Sequence, residues 1–252
     1  MLLTGYVGLS SLCILLTGSR SSLLGLLVWF TVIIWGTKYR FTALVGFAAM
    51  APVAFVALPD SLQTRFETII NPEVGPANAK ESSEGRIQGL TMGVRQWSNN
   101  PLSGIGPGAW RPANRTKIES HNLYGQLVGE TGTLGLMAFL MLLGCFWMNL
   151  RLIRRIRREV PAWQNDLVFT LPSAIGVAVF LLLFMGNFGH NLFRYSWLWY
   201  GGFLIVARYC AEERLLDHEW ELANQDCDEV ELDDEWTAHE GHVLPGYASS
   251  VR

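Results

Sequence analysis

His121 and Asn122 open the segment HNLYGQLVGETGTLG, which runs His-Asn, nine residues, Gly132, two residues, Gly135. An imidazole titrates near about 6.5 and accepts a proton at neutral pH, so His121 is the candidate general base. The plainer alternative is a helix-start histidine bonded to a loop carbonyl. Asn122 is placed to orient it. Two arginines precede it and are candidates for holding an anion: Arg20 in TGSRSSLLG and Arg86 in GRIQGLTMGVRQW. Arg20 lies between two apolar runs, where a charge either snorkels to the interface or serves a site. Arg86 follows Ser82, Ser83 and Glu84, which read as a cap and an acidic first turn. A cation in that turn opposes the helix dipole unless an anion sits between it and the free N–H groups. The alternative is a solvated arginine on a polar face. Arg95, Arg111, Arg115 and Lys117 add positive charge that either steers an anionic substrate or touches lipid phosphates. Glu130 reads as structural, about 13 Å beyond His121 and on the opposite side of a continuous helix.

These residues need elements to hold them. Half of the 252 residues are apolar and 16% are charged. The apolar residues form runs long enough to cross about 30 Å of hydrocarbon, at roughly 1–18, 21–37, 41–58, 123–150, 168–186 and 195–209. The fold class is therefore all-α: a polytopic helical membrane protein with about six spans and one large external loop containing short helices. Residues 1–18 lack a basic leader and a small-residue cleavage site, and so read as a first span and not a signal peptide. On a helical wheel Gly125, Gly132 and Gly135 fall within about 40° of His121, a small-residue stripe that lets a neighbouring helix approach closely.

Charge sets the expected orientation. Residues 210–252 hold thirteen acids and two arginines, and the remainder carries a net of +8. Arg151, Arg154, Arg155, Arg157 and Arg158 follow the fourth run, and Lys38 and Arg40 separate the second from the third. The positive-inside rule puts both clusters in the cytoplasm. Arg20, residues 59–121 and residues 187–194 are then external, and the His190-Asn191 pair shares a side with His121-Asn122.

Within the external loop, Pro59, Asp60 and Ser61 start a helix with Leu62, Phe66, Ile69 and Ile70 on one face, expected to lie on the membrane surface. Residues 71–80 read as a linker. A second helix places Ile87, Leu90, Val94 and Trp97 on one face. Gly104, Gly106 and Gly108 lack a preceding strand, so a tight turn fits better than a dinucleotide site. Residues 210–252 read as an acidic, disordered cytoplasmic tail after a membrane domain at 1–209. The loop has no paired carboxylates, which disfavours a metal-dependent sugar-nucleotide transferase. His218, Cys227, His239 and His242 lack zinc spacing, so no metal or other cofactor is assigned. Cys13, Cys145, Cys210 and Cys227 imply no external disulfides.

The His-Asn segment with its two glycines, the Ser19-Arg20 pair and the stretch GRIQGLTMGVRQWSNNPLSGIGPGAW together resemble the O-antigen ligase family, over roughly residues 10–210. That superfamily includes polymerases of the Wzy type and protein-modifying oligosaccharyl transferases. The resemblance implies metal-independent, inverting glycosyl transfer at the periplasmic face of the bacterial inner membrane. The donor would be a glycan on undecaprenyl pyrophosphate, and the acceptor a sugar hydroxyl on lipid A-core or on a growing glycan. Arg20 and Arg86 would hold the pyrophosphate and His121 would take the acceptor proton, as the catalytic set. Asn122, which could contact a sugar hydroxyl, joins Arg95, Arg111 and His190 as the expected substrate-binding set. Members of the family usually have about twice as many spans. The expectation is therefore an internal start, a natural half, or a second chain that supplies the missing helices.

Three other readings stay open. One is a polymerase of the same superfamily, one an anion transport or binding protein with a basic outer vestibule, and one a non-catalytic remnant. Few charges lie at mid-membrane and no inverted repeat is evident, which ranks transport lower. None of these readings involves nucleic acid.

Overall fold

The computed structural model describes residues 2–56, 58–67, 77–116, 119–159 and 166–240. Every regular element among them is helical: α1 (Leu2–Leu16), α2 (Arg20–Trp35), α3 (Arg40–Val56), α4 (Asp60–Glu67), α5 (Ala77–Asn99), α6 (Trp110–Asn114), α7 (Leu123–Glu159), α8 (Leu167–Met185) and α9 (Ser196–Glu240). Helices stand at all six apolar runs. Two of them, α7 and α8, are long and apolar enough to cross a membrane, with mean hydropathies of 1.9 and 2.5. The shorter apolar helices α1 to α3 have 15, 16 and 17 residues. At 1.5 Å per residue each reaches about 22–26 Å, less than a full hydrocarbon core.

α7, α8 and α9 form the packed centre. Leu123, Leu127, Phe139 and Phe146 of α7 meet Ile175 and Val179 of α8 and Trp197 and Leu204 of α9. A second cluster joins Ile153 and Ile156 to Phe169, Ala207 and Ala211. α2 packs on α8, with α1 and α3 beside α2. The outward sides of α7 and α9 are apolar and uncovered, among them Leu140, Met141, Trp147, Leu198, Phe203 and Ile205. A surface of this kind suits lipid and not water.

Gly132 breaks α7, with φ 62° and ψ −159°. A continuous helix would bond the N–H groups of Thr133 and Leu134 to the carbonyls of Gly129 and Glu130. All four groups turn instead to the loop after α5. Thr133 and Leu134 donate to the Pro101 and Leu102 carbonyls at 2.8 and 3.1 Å, while the N–H groups of Ile105 and Gly106 donate to Gly129 and Glu130 at 2.9 Å each. The expectation of one wheel from His121 through Gly135 is corrected here. The glycine segment forms a socket for the 101–109 loop, and only Gly125 and Gly129 act as helix-packing glycines. Gly104, Gly106 and Gly108 take positive φ, which makes the expected tight turn.

α5 differs from expectation in two ways. It starts at Ala77, not near Ser82, so Arg86 lies inside the helix and the anion argument from first-turn N–H groups falls. Its apolar face is also not the buried one. Ile87 and Val94 are 65% and 47% exposed, whereas Gly89 and Gly93 are buried against α7. A Cβ on Gly93 would overlap the Gly125 carbonyl, and one on Gly125 would overlap the Gly89 carbonyl. The two backbones therefore touch, which no side chain permits.

α4 begins at Asp60 as expected, with Phe66 buried. Residues 68–76, which include Ile69, Ile70 and much of the expected linker, lie outside the described residues, as do Lys117 and residues 241–252. The tail expected to be disordered instead continues α9 to Glu240. Ala211 is buried and Leu215 packs against the Ile153 cluster, so the helix is anchored beyond the apolar run. Arg208 pairs with Glu212 at 2.9 Å, and Arg214 pairs with Asp166 at the start of α8. The Arg208–Glu212 pair has i,i+4 spacing and supports the helix where it leaves the apolar run.

Candidate functional site

The segment Ser120–His121–Asn122 is pressed onto α5. A Cβ on Gly89 would stand 2.9 Å from the Ser120 hydroxyl and 3.4 Å from the His121 nitrogen, and one on Gly85 would stand 4.0 Å from the His121 ring. Gly85, Gly89 and Gly93 thus form a second glycine stripe, at four-residue steps, that brings His121 beside α5. The sequence carried this signal, but the apolar stripe on the same helix hid it.

Asn122 does a structural job. Its side-chain oxygen accepts the Gly125 N–H at 2.9 Å, so it caps α7, and the residue is only 5% exposed. Ser120 is bonded to both the N–H and the carbonyl of Asn122. The helix cap uses the acceptor oxygen of this side chain. The N–H of Leu123 donates to the Gly186 carbonyl at 2.7 Å, and the Tyr124 hydroxyl donates to the Leu183 carbonyl at 2.9 Å. These bonds tie the start of α7 to the end of α8 and to the 186–195 loop.

That loop delivers His190, whose ring centroid lies 5.9 Å from that of His121. It also delivers Phe188, whose ring stands 5.1 Å from the Arg86 guanidinium carbon, a cation–π contact. Burial pushes the His121 imidazole below its ordinary value, with smaller contributions from His190 and Arg86. Arg86 is lowered by burial and then by Arg20. Arg20 opens α2, next to the Ser19 cap. Four residues spread over 170 positions of sequence are therefore linked at one end of the bundle: Arg20 acts on Arg86, and Arg86 and His190 act on His121. A neutral imidazole can accept a proton, and the guanidiniums of Arg86 and Arg20 can attract an anion.

Other expected residues stand apart. Arg95 lies nine positions beyond Arg86, half a turn round the helix, and is exposed. Arg111 pairs with Glu119 at 2.8 Å. Glu130 is fully buried and accepts the N–H groups of Gly108 and Trp110 at 3.0 and 3.1 Å. It anchors the loop, in the structural role expected. Phe188, Glu119 and Gln126 were not anticipated. Phe188 shares its loop with His190 but meets Arg86 only through the fold, and Glu119 and Gln126 take their meaning from neighbours supplied by the fold.

The family model described as Wzy_C, O-antigen ligase, matches residues 5–140. The chain belongs to the O-antigen ligase family. The matched stretch holds Arg20, Arg86, His121, Asn122 and both motif glycines, whereas His190 lies beyond it. This ligase-family chain is accordingly a helical membrane protein of polysaccharide biosynthesis, of the ligase or polymerase type. No curated protein matches it.

Proposed function

We propose that this chain transfers a glycan from undecaprenyl pyrophosphate to a sugar hydroxyl at the periplasmic face of the inner membrane. The observation that supports it most is the convergence of Arg20, Arg86 and His121, from three separate helices or helix starts, at one end of the bundle. In this reading the acceptor oxygen attacks the anomeric carbon of the donor sugar. The hydroxyl proton passes to a ring nitrogen of His121. The bond from that carbon to the pyrophosphate breaks, and its electron pair stays on the phosphate oxygen. Attack opposite the leaving group inverts the anomeric centre. Arg20 and Arg86 hold the pyrophosphate and stabilise the charge it gains, so the mechanism invokes no metal. The Arg151–Arg158 cluster faces the cytoplasm, six helices cross the bilayer, and His121 lies outside. A polymerase differs only in the acceptor, a growing glycan instead of lipid A-core.

The test is transfer by purified protein in lipid, from a polyprenyl-pyrophosphate glycan. His121→Ala is expected to lower transfer by about 10²–10⁴-fold while insertion and thermal stability hold. Arg86→Gln should cost about 10²–10³-fold. Normal transfer by the His121 variant overturns the catalytic reading.

A further inference from the structure

Phe188 stands just past the end of α8, and the glycosyl-transfer mechanism assigns it no role. The Arg86 guanidinium lies over its ring, with the guanidinium carbon 5.1 Å from the ring centroid. The ring rests on a built platform. The Phe188 N–H donates to the Met185 carbonyl at 2.9 Å, and the Phe184 ring meets Phe188 edge-on with centroids 5.6 Å apart. The same loop is tied down on both sides of Phe188. The Gly186 carbonyl accepts the Leu123 N–H at 2.7 Å, and the Asn191 side chain donates to the Leu182 carbonyl at 2.8 Å. Phe188 thus links α5 to the end of α8, in the loop that brings His190 to His121. Arg86 is the less constrained partner, because an arginine side chain has many rotamers to lose. Burial and Arg20 both disfavour its charge. Both effects drive the guanidinium outward to water and away from Arg20. The negative face of an aromatic ring opposes that drift, and more strongly where water is partly excluded. A carboxylate would also hold the cation, but it would occupy two in-plane N–H donors and cancel the charge. A ring face does neither.

We propose that Phe188 is a positioning residue: its ring holds the Arg86 guanidinium at the end of the bundle shared with Arg20 and His121, charged and ready for a diphosphate. Phe188 touches no substrate and acts through Arg86. A cation–π contact at a half-buried site is worth about two- to thirty-fold in a binding constant. The family match ends at residue 140, so Phe188 lies in a part of the chain that the match does not cover. The role rests on Arg86 binding the pyrophosphate, and its first test is binding and not transfer.

The experiment is isothermal titration calorimetry of inorganic pyrophosphate into the full chain in phosphatidylcholine nanodiscs at low ionic strength. The unaltered protein is expected to bind it, and Arg86→Gln to weaken that binding at least about tenfold. Phe188→Leu should weaken it about two- to thirty-fold. In the Arg86→Gln protein, Phe188→Leu should have no further effect, because residues that act through one another are not additive. Phenylalanine analogues with one, two and three ring fluorines at Phe188 keep the shape and apolar character of the ring but drain its negative face. Affinity should fall stepwise along that series while thermal stability holds; a ring that only fills space would leave affinity level. No pyrophosphate binding, binding that ignores Arg86, level affinity across the fluorinated series, or additive losses in the double variant overturns the positioning role. Level affinity alongside His121-dependent transfer rejects the positioning role alone. Stepwise loss of affinity alongside transfer that ignores His121 supports the positioning role and rejects the catalytic reading alone.

Discussion

In the proposed mechanism His121 is the base, and burial with its neighbours sets its proton affinity. Burial, His190 and Arg86 all disfavour the imidazolium, so its proton leaves below the ordinary histidine value. Transfer should therefore be flat through neutral pH and fall only in acid, as His121 becomes protonated. His190→Gln removes one of the opposing charges and should move the acid limb of kcat/KM to higher pH; an unmoved limb would show that His190 does not act on the base. Stability follows the same sign. The folded state resists protonation more than the unfolded chain does, so the contribution is present above the unfolded histidine value and is lost as pH falls through the folded one. His190→Gln should reduce that acid sensitivity in thermal unfolding followed against pH.

Helix elements place this base through backbone contact. α5 and α7 meet at Gly89, Gly93 and Gly125 with no side chain between them. Gly93→Val forces a branched side chain against a backbone that cannot yield locally. It should destabilise the protein by about 1–3 kcal/mol or more, read as a fall in Tm, and reduce transfer although Gly93 touches no substrate. Glu130→Ala leaves the buried Trp110 N–H unpaired, at about 1–3 kcal/mol, and removes a part-buried bond to the Gly108 N–H. Faster proteolysis within residues 101–116 is the expected signature, and an unchanged cleavage rate would mean that the Gly132 socket alone holds the loop. The apolar stripe of α5 made its helix legible but pointed to the wrong face, because hydrophobic periodicity reports which side avoids water and not which side packs. The glycine stripe on the other side decided the contact.

For the whole molecule, the charge asymmetry and the uncovered apolar sides of α7 and α9 support one orientation. Single cysteines introduced at Arg95 and Arg155, in a chain stripped of its native cysteines, should label oppositely with a membrane-impermeant maleimide on intact cells: residue 95 labelled, residue 155 protected. Labelling of both or neither, or the reverse pattern, would overturn the topology. α7 couples the two sides, running from the His121 end to the Arg151–Arg158 cluster.

The sequence by itself determined where the helices lie, because apolar runs and charge clusters are local properties of composition. It also carried the family and the residues able to do chemistry, since the His-Asn and Gly-Arg patterns are contiguous. Only the tertiary structure decided that Gly132 is a break and not a packing surface, because the diverted hydrogen bonds need a loop 24 to 32 residues away in sequence. It turned Asn122 into a cap and removed Arg86 from a helix start. It joined His190 to His121 across α7 and α8. Such relations depend on distances between segments remote in the chain, which spacing along the chain does not encode.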